Sequence, residues 1–277
     1  MHDTRVFTGF EIAERIYKQL KRRVAALGRS PRCALLMDAD NAGAAAYARR
    51  LSEAAIDAGV EILTAPYAKD LQSLCRQLEG SRHENAIDAV IPLYPLPPII
   101  NREEVARLIG AGKDVDGLHP MNAGLVALGA GASRAAATAK ACVLVLEDVF
   151  GSLRGVDVTV VGASIIVGRP LALMLMDQLA TVTVCHEATR DLATHTAKAD
   201  AIISATGVPG LIKAEHIRQG SVLIDVGITR TEHGLVGDVD LASVAGKASL
   251  VTHVPDGVGP VTTACLLENI VTAAEAA

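Results

Sequence analysis

The chain has 277 residues, half of them apolar, with few aromatic side chains and no tryptophan. Its 26 basic and 31 acidic residues leave a net charge of −5, and no basic run exceeds Lys21-Arg22-Arg23, which argues against a nucleic-acid surface. The longest apolar stretch, 89–100, carries four prolines, so it cannot span a membrane; the opening MHDTRVFTGF has charges where a signal peptide needs an apolar core, and a cytoplasmic protein is expected.

Residues 10–27 place apolar side chains at helical spacing, with basic residues towards the end where the helix dipole favours them. CALLMDA (33–39) reads as a buried strand, 43–58 as a helix ending at Gly59, VEILTAPY (60–67) as a strand, 69–79 as a helix and DAVIPLY (88–94) as a strand. The polar, glycine-rich passage 110–124 has the composition of a functional loop or domain boundary, and 137–150 is a helix closed by Gly151. A second alternating series follows: strand 156–162, helix 169–180 and strand 181–187, then strands within 197–207, 220–228 and 248–255, and a helix over 262–276. Strands and helices alternating through short connections give an α/β fold with parallel sheets, here two units joined near residue 120. The core must come from Ala, Val, Leu and Ile. The five cysteines are scattered and never form C-x-x-C, which fits reduced thiols better than a disulfide framework or a zinc site.

The strand VDVTVVG runs into GASIIVGRP and then a helix. Gly162 and Gly168 depart from the G-x-G-x-x-G spacing, but a tight strand-to-helix turn offers backbone N–H groups at a helix N-terminus, where a pyrophosphate can dock. An ordinary turn explains these glycines equally well. Glu187 stands where a dinucleotide fold places the acid that bonds the adenine ribose; a solvated strand-end carboxylate is the plainer alternative.

VVGASIIVGRP, TVTVCHEAT, ADAIISATG, VLIDVGI, GLVGDVD and VPDGVGPVTTACLLENI occur in one order, after KDVDGLHPMNAG and a proline-rich YPLP. Together they resemble the methylenetetrahydrofolate dehydrogenase/methenyltetrahydrofolate cyclohydrolase family. The resemblance implies a folate-binding α/β domain over 1–119, with helix 260–277 packed back on it. It further implies a Rossmann dinucleotide-binding domain over 120–259, an active cleft between the two, and a homodimer. It assigns folate contacts to Tyr47, Asp116, Pro255, Gly257, Gly259, Pro260 and Thr262, with Asp116 holding the pterin. Cofactor contacts fall on Gly162, Ala163, Ser164, Gly168, Glu187 and Ile228.

Departures from the family pattern are as informative. The catalytic lysine, four residues after the tyrosine, is Leu51, and the glutamine that bonds it is Leu93, so no catalytic residue is assigned. Arg49 and Arg50 are off the family spacing, and arginine is a poor acid–base group. P-C-T-P has become Ala136-Ala137-Thr138-Ala139, and Asp256 replaces the first glycine of the VPGGVGP segment. The arginine and serine that grip the 2′-phosphate of NADP are Ala163 and Glu187, which points to NAD.

The favoured expectation is therefore an NAD-dependent methylenetetrahydrofolate dehydrogenase with little or no cyclohydrolase activity. A dehydrogenase acting on another one-carbon pterin, and a catalytically silent nucleotide- or folate-binding protein, stay open beside it. His119 and His253 lack partners at metal-ligand spacing, so no metal is expected. Cys185 and His186, adjacent in a strand, point to opposite faces and cannot form a nucleophile–base couple.

Overall fold

A computed structural model describes residues 3–130, 134–232 and 234–277. The chain forms two compact units, Glu14–Ala137 with Thr263–Ala277, and Met1–Ala13 with Thr138–Thr262. In chain order the first half runs β1 (Arg5–Phe7), α1 (Phe10–Leu27), β2 (Arg32–Met37), α2 (Ala42–Ala58), β3 (Glu61–Pro66), α3 (Leu71–His83), β4 (Ala89–Pro92), α4 (Arg102–Ile109), α5 (Pro120–Ala127) and α6 (Ala137–Phe150). The second half runs β5 (Asp157–Val161), α7 (Gly168–Asp177), β6 (Thr181–Cys185), α8 (Leu192–Thr196), β7 (Ala201–Ser204), β8 (Val222–Asp225), β9 (Thr229–Thr231), β10 (Gly234–Val236), α9 (Leu241–Val244), β11 (Leu250–Thr252) and α10 (Val258–Glu275).

In the unit built on Glu14–Ala137, β2 lies between β3 and β4 in an all-parallel sheet. Its strands are short and its helices capped as their sequences dictate. Asn41 Oδ1 accepts from Ala44 N at 2.9 Å to start α2, and Asp70 Oδ1 accepts from Ser73 N at 2.9 Å to start α3. Leu36, Val90, Leu74, Leu78, Val105 and Ile109 form a core between the sheet and helices α3 and α4. Arg23 on α1 closes this unit against α10 through a paired contact with Glu275, Nε–Oε1 2.9 Å and Nη2–Oε2 2.7 Å.

The other unit holds a six-stranded parallel sheet in the order β6-β5-β7-β8-β11-β1. Val161, Ile202, Leu223 and Val251 pack one face of it with Ile212 and Val244. From β5 the chain goes out to β6 on one side and then back across to β7 on the other. That reversal makes a crevice at the carboxyl ends of β5 and β7, the place where open α/β sheets bind ligands.

The structure corrects the sequence reading at several points. Residues 3–13 belong with the six-stranded unit, not with the rest of 1–119, because β1 pairs in register with β11, Arg5 opposite Leu250. The passage 110–124 is not a single loop: Pro120 at the first helical position opens α5, whose cap is His119, Nδ1 accepting from Met121 N at 3.1 Å. Residues 120–137 accordingly pack with the first unit. Strand β6 stops at Cys185, so Glu187 lies in the turn beyond it rather than at its end. Helix α4 and the antiparallel hairpin β9–β10 are additional elements.

Candidate functional site

The crevice at β5 is built by close approach. Gly162 has φ of +113°, and a Cβ there would run into the Ala205 carbonyl just past β7. A Cβ on Gly168 would collide with the Gly162 carbonyl, so the first turn of α7 lies directly on the turn that feeds it. Ser164 Oγ accepts from Val167 N at 3.1 Å and Ser164 O accepts from Arg169 N at 2.9 Å, folding 164–169 into one compact turn. No side chain caps α7. The N–H groups of Ala163, Ser164, Ile165 and Ile166 find no acceptor among the described residues. Unpaired donors at a helix start are a ready anion site, and a diphosphate fits it.

Around this turn lie the other predicted cofactor residues. Glu187 is exposed in a tight turn in which His186 N donates to Thr189 Oγ1 at 2.9 Å and Thr189 N to His186 O at 2.8 Å. Ile228 is half exposed between β8 and the hairpin. Two cations were not singled out from the sequence. Arg169 donates from Nε to Ala163 O at 3.1 Å, which lays its guanidinium over the turn, and Arg190 is exposed three residues after Glu187. The signal for Arg169 was its place in GRP, immediately after the glycine that starts α7.

In the first unit, Asp116 follows a short bridge between Asp114 and Val90 of β4. Burial, and then the charge of Asp114, push its carboxyl up to about 7. The carboxyl accepts no hydrogen bond from the described residues. The loop that carries it is rigid: Gly117 has φ of +70°, and any Cβ there would strike the Arg134–Ala136 backbone. Asn269 of α10, fully buried, donates from Nδ2 to Val115 O at 2.8 Å and to Ala135 O at 2.9 Å. An amide inside the otherwise apolar stretch of TTACLLENIV, next to Glu268, was the available signal for it.

The charge of Asp116 is felt by three phenols. Burial, with the Asp116 charge second, holds Tyr47 up at about 12. Tyr94 is raised to about 12 by burial and also feels Asp116, while the Arg102 guanidinium, 5.1 Å above its ring, works the other way. Tyr67 is shifted further upward by burial and by Tyr94, and its hydroxyl donates to Leu93 O at 2.9 Å. Three of the four tyrosines in the chain thus sense one carboxyl. Such a set presents flat aromatic surface with an acceptor for paired N–H donors.

Leu51 is one helical turn after Tyr47 and only 2% exposed, on the face of α2 that buries Ala44, Ala48, Ala55 and Ala58. Leu93 is half-buried, its own backbone N–H donating to Leu36 O at 2.8 Å. Arg49 and Arg50 are exposed.

Pro255, Gly257, Gly259, Pro260 and Thr262 follow β11 and run into the start of α10 in the second unit. Gly257 N donates to His253 O at 2.5 Å, and a Cβ on Gly257 would strike Thr252 and His253. Asp256 Oδ2 lies 3.3 Å from His253 Nδ1, without hydrogen-bond geometry. Cys185 is buried and His186 exposed, so the two do face apart. Among the described residues no three His, Cys, Asp or Glu side chains cluster as a metal site, and no helix is long and apolar enough to cross a membrane.

Two family profiles cover most of the chain. The tetrahydrofolate dehydrogenase/cyclohydrolase catalytic domain matches residues 7–116, and the NAD(P)-binding domain of the same name matches 136–277. The chain is 41% identical to the bifunctional protein FolD of Nocardia farcinica over 279 residues, covering 99% of this chain and 98% of that protein. Its structure is similar to that of the bifunctional FolD methylenetetrahydrofolate dehydrogenase/cyclohydrolase of Campylobacter jejuni, with a TM-score of 0.93, 34% identity and 99% coverage of both chains. It is also similar to the Trypanosoma brucei methylenetetrahydrofolate dehydrogenase-cyclohydrolase complexed with NADP cofactor and inhibitor, with a TM-score of 0.92, 32% identity, and coverage of 100% of this chain and 99% of that one.

Proposed function

The chain belongs to the tetrahydrofolate dehydrogenase/cyclohydrolase family, and from that membership we propose that it oxidises 5,10-methylenetetrahydrofolate to 5,10-methenyltetrahydrofolate with NAD, and that it has little or no cyclohydrolase activity. The dinucleotide, when bound, supplies the hydride acceptor. The protein's own task is then to hold donor and acceptor in place, because the substrate's nitrogen lone pairs drive the transfer and no general base is formally needed.

The roles follow the chemistry. Asp116 accepts the N–H donors of the aminopyrimidine ring, while Tyr47 packs on the folate; Pro255, Gly257, Gly259, Pro260 and Thr262 complete the folate contacts. The free N–H groups of 163–166 and the start of α7 take the diphosphate, with Gly162 and Gly168 allowing its approach, and Ile228 packs on the cofactor. Glu187 bonds the adenine ribose hydroxyls and repels a 2′-phosphate. Both the missing arginine at 163 and the added charge at 187 favour NAD over NADP, by about tenfold once screening is allowed for.

The observation that carries the cyclohydrolase half is the burial of Leu51. Hydrolysis of the methenyl product needs an activated water and proton transfers, and a packed leucine at 51 with another leucine at 93 supplies neither. The homodimer implied by the resemblance and the cytoplasmic location expected from the sequence belong to the same proposal, the first checked by sedimentation of the purified chain. The decisive experiment incubates purified protein with methylenetetrahydrofolate and compares NAD with NADP at the reduced-nicotinamide absorbance. Decay of the methenyl product, less its spontaneous rate, is followed in parallel. Growth of the band with NAD and no accelerated decay support the reading; preference for NADP, or decay as fast as the oxidation, overturns its finer parts.

A further inference from the structure

Two aspartates beneath the crevice have no part in the roles above. Asp238 is completely buried just after the hairpin, and Asp225, 4% exposed, ends β8. They brace one another across the hairpin base. Asp225 Oδ1 accepts from Asp238 N and its Oδ2 from Val239 N, both at 2.9 Å. A Cβ on Gly237 would collide with the Asp225 carboxylate, and one on Gly227 with the Asp238 carboxylate. Each acid is therefore seated against the glycine beside the other, in the pattern Asp225-x-Gly227 and Gly237-Asp238.

Asp238 then reaches the loop after β7. Its Oδ2 accepts from Ser204 Oγ at 2.9 Å, Thr206 N at 2.7 Å, Thr206 Oγ1 at 2.9 Å and Gly207 N at 3.3 Å. That loop is the floor of the crevice, since Ala205 O lies against Gly162 and Thr229 Oγ1 of the hairpin donates to Gly207 O at 3.2 Å. The other oxygen, Oδ1, is buried with no donor among the described residues. A buried acceptor left unmade is expensive, so the side chain is kept for what Oδ2 holds.

We infer that Asp238 is a positioning residue for dinucleotide binding, locked by Asp225, which fixes the 204–207 loop under the Gly162 turn. The inference rests on the reading of that turn as the dinucleotide site. Without Asp238, four donors of the loop lose their common acceptor and the floor under Gly162 is free to move, so the N–H groups of 163–166 no longer converge.

The test titrates NADH and NADPH, by their own fluorescence, and folic acid, by calorimetry, into the full-length chain and its variants. Asp238→Asn is expected to weaken the preferred dinucleotide by about tenfold or more while leaving folic acid within about twofold. Thr206→Val, which removes one of the four donors and keeps the Asp238 carboxylate with the other three, is expected to weaken it by about threefold. The double variant should be no weaker than Asp238→Asn alone, because both act through one loop. If Asp238→Asn does not fold, the Thr206→Val selectivity for dinucleotide over folic acid decides. Dinucleotide affinity unchanged in the variants, equal loss of both ligands, or multiplying effects would overturn the inference. A parent chain that binds neither NADH nor NADPH overturns the dinucleotide reading itself, and the inference with it.

Discussion

At the scale of single residues, the proposed loss of cyclohydrolase activity turns on Leu51. Leu51→Lys places an ammonium on the buried, alanine-rich face of α2 and should destabilise the fold by about 2–4 kcal/mol, read from denaturant midpoints. Adding Leu93→Gln supplies a polar partner, so the double variant should recover part of that loss and accelerate methenyl hydrolysis above background. Asp116→Ala should remove folate binding and leave dinucleotide binding intact; loss of both would mean that the residue holds the fold. Because the Asp116 carboxyl is held near 7, folic acid affinity should fall by up to about tenfold per pH unit as pH drops below 7, while dinucleotide affinity stays level. Ala163→Arg with Glu187→Ser should move preference from NAD towards NADP. Arg190, so close to Glu187, is the side chain to change if NADP is preferred from the start.

At the scale of elements, what was legible depended on length and pattern. Helices α1, α2, α6 and α10 and the buried strands β2, β5 and β8 stand out because their apolar runs are long or continuous. β1 was not legible: three residues, Arg5-Val6-Phe7, carry no period, and only pairing with β11 makes them a strand. The β9–β10 hairpin is likewise short, three residues a strand. Helix α4 could have been read, since Asn101 followed by Glu104 and the Val105, Ala106, Ile109 stripe form a helix-start signature. The site divides in the same way. Glycines 162 and 168 and Asp116 were legible through motif, whereas Tyr67, Tyr94, Arg102 and Asn269 enter it only because folding brings them together. Gly168→Ala tests the tightest of these packings. Its methyl meets the Gly162 carbonyl, so the turn must open, and dinucleotide binding should be lost with the folate affinity retained.

For the molecule as a whole, the buried acids set the response to pH. Asp116 is raised to about 7 and Asp225 to about 6, both chiefly by burial. A carboxyl whose folded pKa exceeds its unfolded value binds its proton more tightly when folded, so stability rises as pH falls from about 7 towards 4. Asp88 works in the opposite sense. Burial alone would raise it, but paired bonds from Arg29 at 2.7 Å and from Arg32 N at 2.8 Å outweigh burial, and its contribution is lost in stronger acid. The melting temperature should therefore climb between pH 8 and pH 5 and turn down below about pH 4, with Asp116→Asn and Asp225→Asn flattening the climb. The closing of each unit by distant chain has a further consequence, for synthesis. Thr4 bonds to Ala248, 244 positions away, and Arg23 to Glu275, 252 positions away. Neither unit can finish folding on the ribosome until those distant partner segments have been made. Chains stalled between β8 and β11 should remain open to protease, with the unpaired edge of β8 offered to chaperones until β11 emerges.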